Sequence, residues 1–431
     1  MRDGPFSFRN GVWPPSVHEG RRSQSISLNN AVISITYLAF TCLAIVLFLF
    51  TLDADAQSRP ASQPWVNPQP DVPYLEKPAT RPADWIGEHD PVSPDASSAA
   101  RALLKFLYQI SGKQTLSGQH NFPNEQRYST GLAVRHSRKT PAMYCTDLGF
   151  AKEGDKDAAF VRGEIVRELI EQYRNGSIIT ICWHCVRPTE DEPGTFRHHV
   201  RGELTDAEFE DLLTPGTAIH TKWCAQMDAI AVHLKRLQDA RVPILWRPYH
   251  EMNGDWFWWG ARRGERGTKQ LYRQTFDRLV KHHRLTNLIW VWNCDRPERA
   301  DREFVDYFPG QQYVDVLALD DYRDYEQRYY DEMNALSDGK VMAISECGHP
   351  PAPDIYETQP KWTWWMCWAT DKPRAGAATQ AATTQVQSTQ PTWMPIAEIV
   401  NDPRIWNLED DAYREATNSI RAASGLPPLP K

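Results

Sequence analysis

Beyond residue 98 the chain repeats one local pattern, a short apolar run following a helical stretch, and that repetition constrains the fold more than any single motif. The runs are TLSGQHN from Thr115, PAMYCTDLG from Pro141, SIITICWH from Ser177, VPILWRPYHE from Val242, LIWVWNC from Leu288, VDVLALDDY from Val314, VMAISECG from Val341 and WTWWMCWA from Trp362. Between them lie helical patterns such as Lys222–Asp239 and Lys269–His283. A crossover through a helix returns the chain in the same direction, so the strands pair in parallel. Eight such units make a (β/α)8 barrel, and the spacing predicts an α/β TIM barrel as one domain over 98–424, with a closing helix around Asp410–Ala423. An open doubly wound sheet is the competing architecture, but it usually carries a Gly-rich first turn, which is absent here.

The first hundred residues are of another kind. Residues 31–52 carry no charge over a length sufficient to cross a hydrocarbon core. Arg2, Arg9, Arg21 and Arg22 precede that run, which leaves the N-terminus cytoplasmic and sends the remainder across the membrane. An A-x-A-like site follows at Ala54-Asp55-Ala56, so residues 1–56 read as either a cleaved signal or a retained membrane anchor, and the remainder as extracytoplasmic. Residues 57–97 are proline-rich and aperiodic and read as a tether; the Ala/Thr/Gln-rich stretch 371–391 reads as a low-complexity insertion.

Charge excludes one class of partner. Lys and Arg total 48 against 55 for Asp and Glu, a net charge of −7, which speaks against nucleic acid. Of 17 tryptophans, a large share falls in tight clusters between Trp183 and Trp368, which suits a groove for flat, half-apolar ligands such as sugar rings. Most of the runs also end in a polar or ionisable residue: His120, Asp147, His184, Glu251, Asn293, Asp321 with Tyr322, and Glu346. In a barrel these ends converge on the catalytic face. Glu251 after the fourth run and Glu346 after the seventh then face each other across the mouth. Carboxyl groups about 5–5.5 Å apart serve a retaining glycosidase, and about 6.5–9.5 Å an inverting one. Asn121, Asn253, Asp147 and His349 are candidate partners for sugar hydroxyls, each with a turn-forming or capping role as the alternative.

The text around the two carboxylates, WRPYHEMNGDWFWWG from Trp246 to Gly260 and ISECGHP from Ile344 to Pro350, resembles glycoside hydrolase family 26, the β-mannanase family of the 4/7 barrel clan. The likeness extends over about 98–424 and takes in the strand-three WH, a DxY-like end of strand six and a DPRIW segment. It implies Glu251 as acid/base and Glu346 as nucleophile of a double displacement, with Arg247, His250 and Tyr322 supporting them. It also implies His184, Trp256 and Trp368 as substrate-binding residues, with Trp365 beside Trp368 in the WTWWMCW run. The implied activity is that of a retaining β-glycanase without metal or organic cofactor. An endo-β-1,4-mannanase acting on mannan or galactomannan is the leading expectation, with β-xylan or mixed-linkage β-glucan as alternatives.

Three rivals are weaker. His250-Glu251 is not the start of a zinc HExxH helix, because the fifth position is Gly254. Cys182 and Cys185 form a C-x-x-C, but residues three apart on a strand point to opposite sides, so they read as small buried thiols; a disulfide near the barrel mouth stays open without an assignable pair. A non-catalytic carbohydrate-binding barrel would be expected to have lost one carboxylate, and both are present.

Overall fold

The computed structural model describes residues 87–149, 158–369 and 395–430. The N-terminal segment at 31–52, most of the tether and the insertion at 371–391 lie outside the described residues. Among the described residues no helix is long and apolar enough to cross a membrane.

Eight parallel staves close into a barrel. They are β1, in two pieces (Thr115–Leu116 and Gly118–His120), β2 (Met143–Asp147), β3 (Ile178–Trp183), β4 (Ile244–Pro248), β5 (Leu288–Asp295), β6 (Val316–Asp320), β7 (Val341–Cys347) and β8 (Trp362–Cys367). Each of the eight apolar runs supplies one of them. Closure is made by β8, which pairs with β7 on one side and with both pieces of β1 on the other. Gly118 permits that approach, since a Cβ there would lie 2.5 Å from the Trp365 carbonyl oxygen. A ninth short strand, β9 (Ile405–Trp406), comes from the DPRIW segment and pairs in parallel with Thr115–Leu116.

The core is apolar and heavily aromatic. Trp246, Trp290 and Trp292 are fully buried, the filler role that their place within strands suggests. Outside the barrel, helix Ser98–Ile110 starts where Ser97 accepts a hydrogen bond from the Ala100 N–H, and it turns Leu103, Leu104 and Leu107 inward. Three helical expectations shift in detail. The helix before β4 spans Ala218–Asp239 because Thr217 caps it; the one before β5 runs Thr268–Phe276 and continues as a π-helical segment, Asp277–His282; and the closing helix breaks at Thr417 into Asp411–Ala416 and Asn418–Ala423.

One boundary needs correcting. Residues 87–97, read as the end of the tether, are fastened to the N-terminal face of the barrel. The Gly87 N–H donates to the Gly339 carbonyl at 2.9 Å, the Val92 N–H to the buried Asp315 carboxylate at 2.7 Å, and the Ser97 N–H to the Thr286 carbonyl at 2.7 Å. Asp315 also accepts from the Trp290 N–H at 2.8 Å, so this strap supplies one of two backbone donors to a carboxyl group that has left water. A chain beginning at Ser98 is therefore expected to be about 1–3 kcal/mol less stable than one beginning at Gly87, the usual cost of a buried group stripped of a partner. Urea unfolding of the two would show it, and equal midpoints would remove the strap from the folded unit.

Candidate active site

At the C-terminal ends of the staves a cleft of about 330 Å³ opens among His184, His250, Glu251, Trp256, Tyr322, Glu346 and Trp368. Seven residues that the sequence nominates from five different runs thus share one wall. Oxygens of Glu251, Glu346 and a third carboxylate, Asp320, all lie within 4.8 Å of one another.

Glu346 sits inside β7, and its orientation is set by a bulge. Leu319 pairs with Ile344, but the next residue, Asp320, pairs with Glu346, so Ser345 is an extra residue on β7. The bulge brings Asp320 and Glu346 onto the same face, and the Ser345 hydroxyl donates to Asp320 at 2.8 Å. Each oxygen of Glu346 has its own donor: Arg247 Nη2 at 2.5 Å on Oε1 and the Tyr322 hydroxyl at 2.9 Å on Oε2. The other Arg247 nitrogen reaches Asp320 at 3.2 Å. Arg247 is buried, and although burial works against its charge, Glu346 and Asp320 more than compensate and raise its pKa. The guanidinium thus balances two of the three carboxylates directly. Tyr322 is 44 % exposed as a residue, yet its pKa is raised by desolvation and by the negative charges of Glu346 and Glu251, which keeps it a donor.

Glu251 is carried differently. It lies three residues beyond β4, and both Tyr249 (φ 51°) and Glu251 (φ 50°) have left-handed backbones. Such a conformation is uncommon outside glycine and needs support from its surroundings. Trp223 Nε1 donates to the Tyr249 hydroxyl at 2.9 Å, and Asn293 Oδ1 accepts the Glu251 N–H at 2.9 Å. The Glu251 carboxyl, with the residue 9 % exposed, accepts from Trp256 Nε1 at 2.5 Å. Burial, then the charges of Glu346 and Asp320, push its pKa well above the usual carboxylate range, while the indole hydrogen bond pulls the other way. That environment retains a proton near neutrality.

The two cleft histidines are each held by their neighbours. His184 donates from Nδ1 to Asp147 at 2.6 Å, and Asp147 also accepts from the Gly149 N–H at 2.7 Å and the Cys182 thiol at 3.1 Å. His250 Nε2 lies 3.8 Å from Glu346, and burial, then His184 and Arg247, hold its pKa well below the usual value, so it is neutral. Trp368 stacks on His120 at 3.9 Å and 13°.

Some nominated residues fall elsewhere. Trp365 is 1 % exposed within β8 and belongs to the core, not the sugar groove. Asn253 is fully buried and ties the β4 and β5 loops together, donating to the Asp295 and Arg302 carbonyls at 2.7 and 3.0 Å and accepting the Asp295 N–H. Asn121 is spent on Thr130, and His349 Nδ1 faces the Pro350 carbonyl at 2.8 Å. Asp321 caps its loop through the Arg323 and Tyr325 N–H groups; Asp320 is the strand-six carboxylate at the site. The described cysteines are free thiols, with Cys347 and Cys367 3.9 Å apart. Phe196, Phe257 and Arg201 also line the cleft and were not singled out. Phe257 lies in the WFWWG cluster that drew attention to Trp256, whereas Phe196 and Arg201, in the long loop after β3, carry no comparable signal.

Removing the buried cation leaves Asp320 and Glu346 uncompensated. Arg247→Met should therefore cost about 3–5 kcal/mol in urea unfolding at neutral pH, and adding Asp320→Asn should restore part of the loss. An Arg247→Met chain as stable as the original would mean that the guanidinium does not balance those carboxylates.

The comparisons with known proteins agree with this geometry. The family model for glycosyl hydrolase family 26 matches residues 92–386. A mannan endo-1,4-beta-mannosidase of Thermothelomyces thermophilus is 36 % identical over 290 residues, 64 % of this chain and 56 % of the relative, so the chain spans little more than half the length of that protein. Among solved structures, GH26A from a Muricauda species is 38 % identical with a TM-score of 0.64, over 74 % of this chain and 98 % of that one. The Podospora anserina GH26-CBM35 beta-(1,4)-mannanase is 29 % identical with a TM-score of 0.61, over 78 % and 71 %. The chain belongs to glycosyl hydrolase family 26.

Proposed function

We propose that the protein is a retaining endo-β-1,4-mannanase. The observation that carries the reading is the approach of the Glu251 and Glu346 carboxylates, whose oxygens lie within 4.8 Å. That fits a pair in which one carboxylate attacks carbon directly and leaves no room for the intervening water of an inverting enzyme. Mannan as substrate is supported by the names of the relatives, several of which are mannan endo-1,4-beta-mannosidases. The uncharged run 31–52 supports an extracytoplasmic location, where a polymer too large to cross a membrane would be met.

In the first half-reaction a Glu346 oxygen bonds to the anomeric carbon while Glu251 gives its proton to the departing glycosidic oxygen. In the second, Glu251, now a carboxylate, takes a proton from water as that water displaces Glu346, and the original anomeric configuration returns. Arg247 and Tyr322 keep the Glu346 carboxylate aimed throughout. Trp256 and Trp368 offer planes to the apolar faces of the sugars, and His184, fixed by Asp147, offers a polar contact beside the cleavage point.

The test is incubation of the chain with β-mannan, with β-1,3-xylan and mixed-linkage β-glucan in parallel. Short oligomers from mannan, released as the β-anomer in NMR and lost in Glu346→Ala, are expected. Hydrolysis of another glycan alone would move the specificity, and α-anomeric product would overturn the mechanism. A pH prediction follows from the charge cluster. Asp320 helps hold the Glu251 proton, so in Asp320→Asn the acid deprotonates at lower pH, and the alkaline limb of kcat/KM moves down relative to the original chain.

A further inference from the structure

Arg302, on the loop after β5, stands outside the machinery described so far. Its guanidinium carbon lies 5.2 Å from the Trp256 ring centroid, and the same group forms an ion pair with Asp255 at 2.9 Å. Its carbonyl accepts from Asn253 at 3.0 Å, so backbone and side chain both grip the β4 loop. The indole has a second wall: a Cβ on Gly254 would lie 2.3 Å from Trp256 Cζ2. Trp256 is therefore held by an arginine over one face and by a glycine backbone against its benzene edge, and in that pose its N–H reaches the Glu251 carboxyl at 2.5 Å.

We infer that Arg302 is a positioning residue for proton donation: it pins the Trp256 indole, and through the indole it holds the carboxyl of Glu251 in the donating pose. The inference rests on the glycosidase reading above. A cation over an indole face is worth enough at a partly buried position to fix the ring, and the Asp255 pair keeps the guanidinium in place. The consequence is specific. An indole N–H donated to a carboxyl group favours its ionised form, so releasing the indole makes Glu251 hold its proton to higher pH. The other groups facing Glu251 are Glu346 on β7, Asp320 and Tyr322 on β6 and its loop, and Asp295 at the end of β5. Arg247, His184, His250 and Arg201 also face the cleft, and none of these groups is substituted below; Arg302 lowers the pKa of Asp295 as a bare charge, an effect that the Trp256→Phe background isolates.

The experiment is the pH dependence of kcat/KM on a β-1,4-manno-oligosaccharide for the full chain and five variants. Arg302→Met should lower kcat/KM about five- to tenfold and move the alkaline limb up by about half a pH unit, and Arg302→Lys should largely restore both. Gly254→Ala, which displaces the indole without altering charge, should move the limb the same way. In a Trp256→Phe background, Arg302→Met should produce no further shift. An unmoved limb in Arg302→Met, or a shift that persists without the indole N–H, would overturn the inference; the latter would mean that Arg302 acts as a bare charge. An original chain inactive on the oligosaccharide at every pH would instead overturn the glycosidase reading, a result distinct from either.

Discussion

The site depends on three carboxyl groups sharing the barrel mouth with one guanidinium. Charges of like sign within 4.8 Å and away from water cannot all stay ionised, and Arg247 directly faces two of the three. Glu251 is the one it does not touch, and among the described residues the side-chain donor to it is the Trp256 indole N–H. Asp320 is also raised, by burial and by Glu346, but Arg247, Ser345 and Asn293 all stabilise its charge. The proton held by the cluster therefore rests mainly on the carboxyl group that opens to the cleft. The protonated carboxyl that the proposed mechanism needs is thus produced by crowding rather than by any property of a glutamate.

The tryptophan clusters serve two separate ends, which is why counting them does not locate the groove. In the run from Trp256 to Trp259, Trp256 and Phe257 reach the cleft, while Trp258 and Trp259 turn inward and donate to the Cys185 and His250 carbonyls at 2.8 and 2.9 Å. The inward pair fixes the loop that presents the cleft pair. In β8 the same division occurs along a strand, with Trp362, Trp364 and Trp365 in the core and Trp368 one residue past the strand end.

The barrel and the two glutamates were legible in the sequence because they follow from period: apolar runs of strand length, each ending in a polar residue at one end of the barrel. What was not legible depends on departures from period. Asp321 looks like the strand-six carboxylate when polar residues at run ends are counted, but the bulge at Ser345 and the pleat of β6 put Asp320 beside Glu346. Asn253 resembles a loop polar residue facing the cleft until its hydrogen bonds to the neighbouring loop are seen. Proline-rich text at 87–97 looked like tether, since nothing local reveals that Asp315, more than two hundred residues away, accepts the Val92 N–H.

The two carboxylates of the proposed mechanism are held by opposite means, and the chemistry proposed for each accounts for the difference. As the proposed nucleophile, Glu346 would have to approach one carbon along one line, and it sits within a strand flanked by strands on both sides and has a donor on each oxygen. As the proposed acid/base, Glu251 would have to give a proton to one oxygen and later recover one from a water that arrives in its place. A carboxyl on a loop can make both exchanges, but a loop residue with left-handed backbone has no ladder to fix it. Its constraint comes from outside its own strand instead: Asn293 from β5 on its backbone, and the Trp256 indole, clasped by Arg302 from the β5 loop, on its side chain. The fifth stave and its loop, which contribute no reacting atom, are therefore what makes the fourth stave's acid a defined group.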